Sequence, residues 1–115
     1  MSDAMQAAYL EAVYFTETGP DQPENDGMEL SKLFKCHAWQ ACSNFRDACR
    51  YQSIDLSDYD PAQLGHDLWL TRNSHGTGFW DYPRVYGTAQ AELFTAFAKA
   101  QGAHEAEFVP EGSEE

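Results

Sequence analysis

The feature that most constrains the fold is a run of apolar residues, in the first half of the chain, spaced for one face of a long helix. Apolar side chains recur at intervals of three and four, the spacing at which they share a helix face. This pattern predicts a helix from about Glu29 or Ser31 to Gln52 that buries one face against a core. The residues predicted to form that face are Phe34, Ala38, Ala41, Cys42, Phe45, Ala48 and Cys49.

Two shorter helices are predicted towards the ends of the chain. Asp3 and Gln6 have the spacing of a capping box, and the apolar stripe that follows extends to about Thr16. The alanine-rich segment 88–101 carries another apolar face, and Gly102 stands where helices commonly end in a left-handed conformation. Each stripe predicts a helix that packs against other elements.

Three strands are predicted in the second half of the chain. Residues 64–71 and 78–81 flank a glycine-rich turn and are typical of a hairpin, and residues 104–109 are typical of a third, short strand. The chain, residues 1–115, is therefore predicted to be a single α+β domain. About three helices pack on a small antiparallel sheet, in the order α-α-β-β-α-β.

The formal net charge of −12 comes entirely from the two ends of the chain. Residues 1–30 hold seven acidic residues and residues 101–115 hold five, with no Lys or Arg in either, while acids and bases balance in residues 31–100. We expect an acidic loop at 18–30 and a frayed acidic tail at 111–115. Direct binding to nucleic acid or to an anionic membrane needs a basic patch, so neither is predicted. The charge favours a basic partner, with solubility as the alternative explanation.

The three cysteines are predicted to be free thiols. Cys42 and Cys49 lie seven residues apart on the long helix, hence ~10 Å apart along its axis, which is too far for a disulfide. Their position on the apolar face predicts burial, and Cys36 leaves the number odd. Reduced thiols fit a cytosolic setting, and no signal peptide or membrane-spanning stretch is visible in the sequence.

The densest segment of the chain is residues 65–81, GHDLWLTRNSHGTGFWD. The alternation of its first residues and its glycines predict a structural hairpin with at least one buried tryptophan. The residues assigned to this structural motif are His66, Asp67, Trp69, Thr71, Arg72, Asn73, His75, Gly76, Gly78, Phe79, Trp80 and Asp81.

A catalytic or metal-binding interpretation of this segment is the alternative. His66, His75, Asp67 and Asp81 could supply a general base and its orienting acid, or ligands for a metal. However, adjacent residues of a strand point to opposite faces, so His66 and Asp67 are not expected to act together. The other two histidines are too scattered in sequence to add to this set, and no nucleophile elbow, phosphate-binding loop or zinc-binding helix motif is present. Neither a metal nor a cofactor is predicted.

The same segment resembles a motif of small proteins encoded by phages and prophages, Gly-His-Asp-Phe-Trp-Leu-Thr-Arg-Asn-x-His-Gly-x-Gly-Phe-Trp-Asp. The similarity extends over about residues 60–110. The chain departs from it at Leu68, where phenylalanine is usual, and at residues 82–87, YPRVYG, where a glycine-rich turn is usual. The resemblance implies a phage genome context and the host cytoplasm as location. It brings no catalytic residues, because no activity is established for that family.

Phage genomes are rich in small acidic proteins that block host defence, so the resemblance and the charge together favour a non-enzymatic inhibitor of anti-CRISPR or anti-restriction type. Its partner would be a basic host protein or complex that binds nucleic acid, with which acidic surface competes. A small phage enzyme and a phage housekeeping protein are the alternatives, and a homodimer is left open. The residues predicted to contact the partner are Asp21, Glu24, Asp26, Glu29, Glu105, Glu107 and Glu111.

Overall fold

A computed structural model of the chain describes residues 4–18, 23–25, 27–57, 59–73, 78–79, 86–110 and 112. Within these residues the fold combines four α-helices with one small antiparallel sheet of two strands. The elements, in chain order, are helix α1 (Ala4–Glu17), a 3₁₀ turn (Pro23–Asn25), strand β1 (Met28–Leu30), helix α2 (Lys32–Tyr51), helix α3 (Pro61–Arg72), helix α4 (Thr88–Ala100) and strand β2 (Phe108–Pro110).

The helices predicted from the apolar stripes are confirmed as α1, α2 and α4. Helix α2 begins after Ser31, whose Oγ accepts a hydrogen bond from the Phe34 backbone nitrogen at 3.0 Å. This side-chain cap satisfies one of the free N–H groups of the first turn. At the other end of the chain, Gly102 follows α4 with a φ of 77°, which a residue with a side chain rarely adopts. The cap of α1 predicted at Asp3 lies outside the described residues.

The predicted strand at 64–71 is wrong, because this segment belongs to helix α3. Asp60 caps the helix, with its Oδ1 accepting a hydrogen bond from the Ala62 nitrogen at 2.9 Å, and Pro61 occupies the first turn. Asp followed by Pro is a helix-start signal, and here a helix forms although the alternating pattern predicts a strand. Of the predicted partner strand at 78–81, only residues 78 and 79 are described, and they form no strand.

The sheet joins the two ends of the chain. Strand β1 pairs antiparallel with β2, with Glu29 opposite Val109 and Leu30 opposite Phe108, and the Ser31 nitrogen extends the pairing by donating to the Glu107 carbonyl at 2.9 Å. The predicted strand near 104–109 is thus present in part, but its partner is β1, which the sequence did not predict.

The sequence predicts helices that pack on a sheet. In the structure, the core lies mainly between the helices themselves. The pairs α1–α3 and α3–α4 lie in contact, and α2 packs on α1 and α4. Two aromatic clusters fill this core. Phe45 stacks on Phe79 with ring centres 5.3 Å apart, and Tyr9 meets Trp69 edge-on at 5.5 Å. Two of the three free cysteines, Cys42 and Cys49, are buried in α2 and Cys36 is exposed.

Candidate functional site

The motif of residues 65–81 is carried in large part by α3, and its apolar members hold that helix in the core. Trp69 is fully buried, and its Nε1 donates a hydrogen bond to the Thr16 hydroxyl of α1 at 2.9 Å. Thr71 is also fully buried, and its hydroxyl accepts from the Phe79 backbone nitrogen at 3.2 Å. These contacts tie α3 both to α1 and to the chain that follows it.

Asp67 and His66 of the motif occupy different environments. The Asp67 carboxylate is buried, and it accepts hydrogen bonds from the Tyr86 hydroxyl at 2.6 Å and from Gln63 Nε2 at 3.0 Å. His66 is partly exposed, and its Nε2 lies 3.7 Å from a Glu11 carboxylate oxygen. The two side chains do diverge, as predicted, but they do so because neighbours on a helix are rotated by ~100°. Asp67 acts as a buried hydrogen-bond acceptor.

Four members of the motif cannot be placed in this way. His75, Gly76, Trp80 and Asp81 lie outside the described residues. Gly78 is described and buried. Of the four residues of the catalytic alternative, only His66 and Asp67 are described, and they lie in different environments.

Arg72 and Asn73, at the end of α3, hold the chain segment that follows α4. Arg72 Nε donates to the Gly102 carbonyl at 2.9 Å, and its Nη2 donates to the Gln101 carbonyl at 3.2 Å. The Asn73 side-chain oxygen accepts from the His104 backbone nitrogen at 2.9 Å. Arg72 therefore serves as a C-terminal cap for α4, where a cation is favourable beside the free carbonyls.

A polar cluster of Tyr9, Arg72 and His104 connects α1, α3 and the segment before β2. Arg72 Nη1 lies 3.0 Å from the Tyr9 oxygen and 3.2 Å from His104 Nδ1, and the Tyr9 oxygen lies 2.7 Å from that same Nδ1. A guanidinium can only donate, so the Tyr9 oxygen accepts from Arg72 and its own hydrogen goes to His104 Nδ1. His104 Nδ1 is then an acceptor, and the ring hydrogen is on Nε2.

The titration of this cluster is shifted by burial. Burial lowers the pKa of His104 to about 4, with further contributions from the positive charge of Arg72 and from His37. Burial also raises the pKa of Tyr9, although Arg72 opposes that shift. Both side chains are therefore neutral at pH 7, and Arg72 carries the charge of the cluster.

An open cleft of about 400 Å³ lies beside this cluster, between α2 and the end of α4. One wall is the Arg72 and His104 pair, and His104 is stacked on Phe34 with ring centres 4.3 Å apart. The His37 ring centre lies 6.1 Å from that of His104. Two alanines complete the lining of the cleft, whose polar residues are His37, Gln40, Asn44, Arg72, Gln101 and His104.

A second feature is an acidic surface, formed by Glu29, Glu105 and Glu107. The register of the β1–β2 pair places Glu29 and Glu107 at diagonal positions on the same side of the strands, a separation of ~7–8 Å. Glu105 and Glu107 are exposed and alternate with the more buried residues 104, 106 and 108. Glu29 Oε1 also accepts from the Gly112 nitrogen at 3.2 Å. The sheet thus joins carboxylates from both acidic ends of the chain.

The other predicted contact residues are only partly placed. Glu24 is exposed in the 3₁₀ turn before β1. Asp21, Asp26 and Glu111 lie outside the described residues.

Sequence reasoning missed the polar cluster and the cleft. His37 and His104 are far apart in sequence, and Tyr9 is a member of the apolar stripe of α1. No local spacing therefore marks the three residues as neighbours. The sequence marks Arg72 and Asn73 only as members of the motif. Arg72 and Asn73 contact His104 only through the tertiary packing of the helices.

Comparison with known proteins identifies no relative of the chain. No protein-family model, curated protein or solved structure matches the chain. Among the described residues no group of three or more His, Cys, Asp or Glu side chains could hold a metal ion. The helices that are described are too short or too polar to cross a membrane.

Proposed function

We propose that the protein is a phage-encoded inhibitor of a host defence complex, of anti-CRISPR or anti-restriction type, and that it acts by binding without catalysis. Its partner is a basic host protein or complex that binds nucleic acid. The acidic surface (Glu29, Glu105 and Glu107) occupies part of the partner's basic surface and so competes with nucleic acid. The protein acts in the host cytoplasm.

The observation that carries this proposal is the pairing of β1 with β2. Without that pairing, the acidic residues before residue 30 and after residue 101 would be two separate charged ends. With it, Glu29 and Glu107 face the same side at diagonal positions of one ladder. Like charges so close are mildly unfavourable for folding, and a basic partner relieves their repulsion.

The electrostatics of the chain favour a basic partner over a direct nucleic-acid ligand. The net charge of −12 repels phosphate at long range and attracts Lys- and Arg-rich surfaces. Association with a basic protein would therefore be fast at low salt and would slow as ions screen the surfaces.

The alternative of a small enzyme built on His66, Asp67, His75 and Asp81 stays a prediction. In the described part of the chain, Asp67 is buried against Tyr86 and is not placed to meet a substrate. The alternative of a housekeeping protein differs from the proposal in its partner, which would be another phage protein.

The experiment that tests the proposal is capture of binding partners from a lysate of the bacterial host, at low and at high salt, with identification by mass spectrometry. The proposal predicts a nucleic-acid-binding host complex that is retained at low salt and released at high salt. A protein of the phage and no host complex would favour the housekeeping alternative, and turnover of a substrate would favour the enzyme.

A matched pair of variants assigns the binding to the acidic surface. Glu105→Gln with Glu107→Gln removes two exposed carboxylates from this surface, and Asp47→Asn with Glu92→Gln removes two exposed carboxylates from helices α2 and α4. Both variants change the net charge equally. The first is expected to lose most of the captured complex and the second to retain it. Equal capture by the two variants would contradict the role of the acidic surface.

A further inference from the structure

The cleft between α2 and the end of α4 differs in charge from the rest of the molecule. The chain has 19 acidic and 7 basic residues, yet none of the residues that line this cleft is Asp or Glu. Its polar lining consists of one arginine, two histidines and three side-chain amides. The cleft is therefore a positive or neutral recess in a strongly negative protein.

Arg72 has no carboxylate among its hydrogen-bond partners in the described part of the chain. Its hydrogen-bond partners in the described part of the chain are the carbonyls of Gln101 and Gly102, the Tyr9 hydroxyl and the His104 ring. None of these groups carries a negative charge at pH 7. A partly buried cation without a counter-charge favours a bound anion, because pairing offsets part of the cost of its desolvation.

His104 adds a hydrogen-bond donor for which the described residues offer no partner. Its Nδ1 accepts from Tyr9, so Nε2 carries the hydrogen, and among the described residues the buried Nε2 has no hydrogen-bond partner. Buried polar atoms nearly always have a partner, and an orphaned donor requires an explanation. Nε2 has almost no accessible surface, so the ring must move slightly before an acceptor atom of a guest in the cleft can reach it, and another donor would not satisfy it.

The amides of the lining are compatible with the same guest. Gln40 Nε2 donates to the Asn44 oxygen at 2.8 Å, and this orientation leaves the Asn44 NH₂ group available on the exposed side of α2. Gln101 Nε2 is directed to the Ala41 carbonyl at 3.1 Å. The donors that remain for a guest are Arg72, His104 Nε2 and Asn44, and all three suit an oxyanion.

We propose that this cleft is a binding site for a small oxyanion, either a phosphate group or a carboxylate, held by Arg72, His104 and Asn44. The volume of about 400 Å³ admits a small molecule that carries such a group. The site does not depend on the acidic surface, and it is a separate property of the molecule.

The test is a titration of the full-length protein with inorganic phosphate, followed by NMR of the histidine rings and side-chain amides. Saturable shifts of the His104 ring and the Asn44 amide are expected, with sodium chloride at equal ionic strength as the control. A parallel titration with acetate distinguishes the two sources of the oxyanion. Shifts with phosphate alone support a phosphate site, and shifts with both support a general oxyanion site. Absence of saturable shifts with either anion would overturn the proposal.

A pair of charge-matched variants separates the cleft from the overall charge. Asn44→Asp keeps the acceptor for Gln40 but adds a negative charge inside the cleft, so binding is expected to weaken by at least about tenfold. Thr88→Glu adds the same charge at the exposed start of α4, roughly 18 Å from Ala100 along the helix, and is expected to weaken binding less than about twofold. Thermal melts establish that both variants are folded. Undiminished binding by a folded Asn44→Asp variant would overturn the assignment of the site.

Discussion

Replacement of Gly65 by alanine is expected to destabilise the protein through the contact between α3 and α1. Gly65 lies in α3 where the two helices meet, and it is buried. A Cβ atom at this position would overlap the Met5 carbonyl oxygen and would lie 2.9 Å from the Tyr9 nitrogen. Both neighbours are backbone atoms of α1, so no side-chain rotation relieves the overlap, and the helices must separate.

The magnitude follows from two opposing effects. Alanine is preferred to glycine within a helix by ~1 kcal/mol, which alone would stabilise the variant. Overpacking of a rigid core costs ~1–3 kcal/mol and occasionally more, and a clash with backbone belongs at the upper end. We therefore expect Gly65→Ala to lower the free energy of unfolding by about 2 kcal/mol.

Urea denaturation followed by circular dichroism measures this difference. Ala7→Gly, at an exposed position of α1, is the control for helix propensity and should cost about 1 kcal/mol. If Gly65→Ala is as stable as the wild type or more stable, the close approach of α3 to α1 at Gly65 is not present and the packing described above is wrong.

Three further predictions concern buried side chains. Trp69→Ala should lower the free energy of unfolding by about 3–5 kcal/mol in urea denaturation, because the ring is fully buried, and a melting temperature unchanged within a degree would contradict this. In a thiol titration of the native protein, Cys36 should react quickly, and Cys42 and Cys49 should react only on unfolding. Both are buried, and burial raises the pKa of Cys49 to about 11. Three fast thiols would refute this prediction. The pKa of His104 is lowered from 6.5 to about 4, so the unfolded chain takes up a proton that the native state excludes. The contribution of neutral His104 to the free energy of unfolding is complete above pH 6.5 and is lost as the pH falls towards 4. The loss is about 1–2 kcal/mol after allowance for partial exposure, and it should be absent in His104→Asn, whose pH dependence otherwise matches.

Three helices could be predicted from the sequence because each buries a single face. The stripes of α1, α2 and α4 repeat at helical spacing, and Ser31 and Gly102 mark the ends of two of them. Helix α3 has no such stripe, because it is covered on several sides. Leu64, Leu68 and Trp69 are all buried. The alternation of its residues and the glycines that follow it instead predict a strand and a turn.

The sequence contains a start signal for α3. Asp60 followed by Pro61 has the form of an N-cap and a first-turn proline, and the structure contains both. The small sheet could not be predicted, since each strand has three residues and its partner lies at the opposite end of the chain. Long-range pairing of such short strands leaves no local pattern.

The candidate sites differ in how far the sequence revealed them. The division of charge predicted acidic ends, and the sheet brings Glu29 and Glu107 to one side of the strands. The cleft could not be predicted from the sequence, because Arg72 and His104 meet only through the packing of α3 with α4.

The most direct test of the proposed function is competition at the host complex captured by the protein. Binding of that complex to its nucleic acid is measured with increasing wild-type protein, and with the Glu105→Gln, Glu107→Gln variant, across a salt series. The account predicts that the wild type displaces the nucleic acid at one-to-one stoichiometry, most strongly at low salt, and that the variant is at least about tenfold weaker, chiefly through slower association. Equal displacement by both proteins, with no dependence on salt, would contradict the claim that the acidic surface is the binding surface.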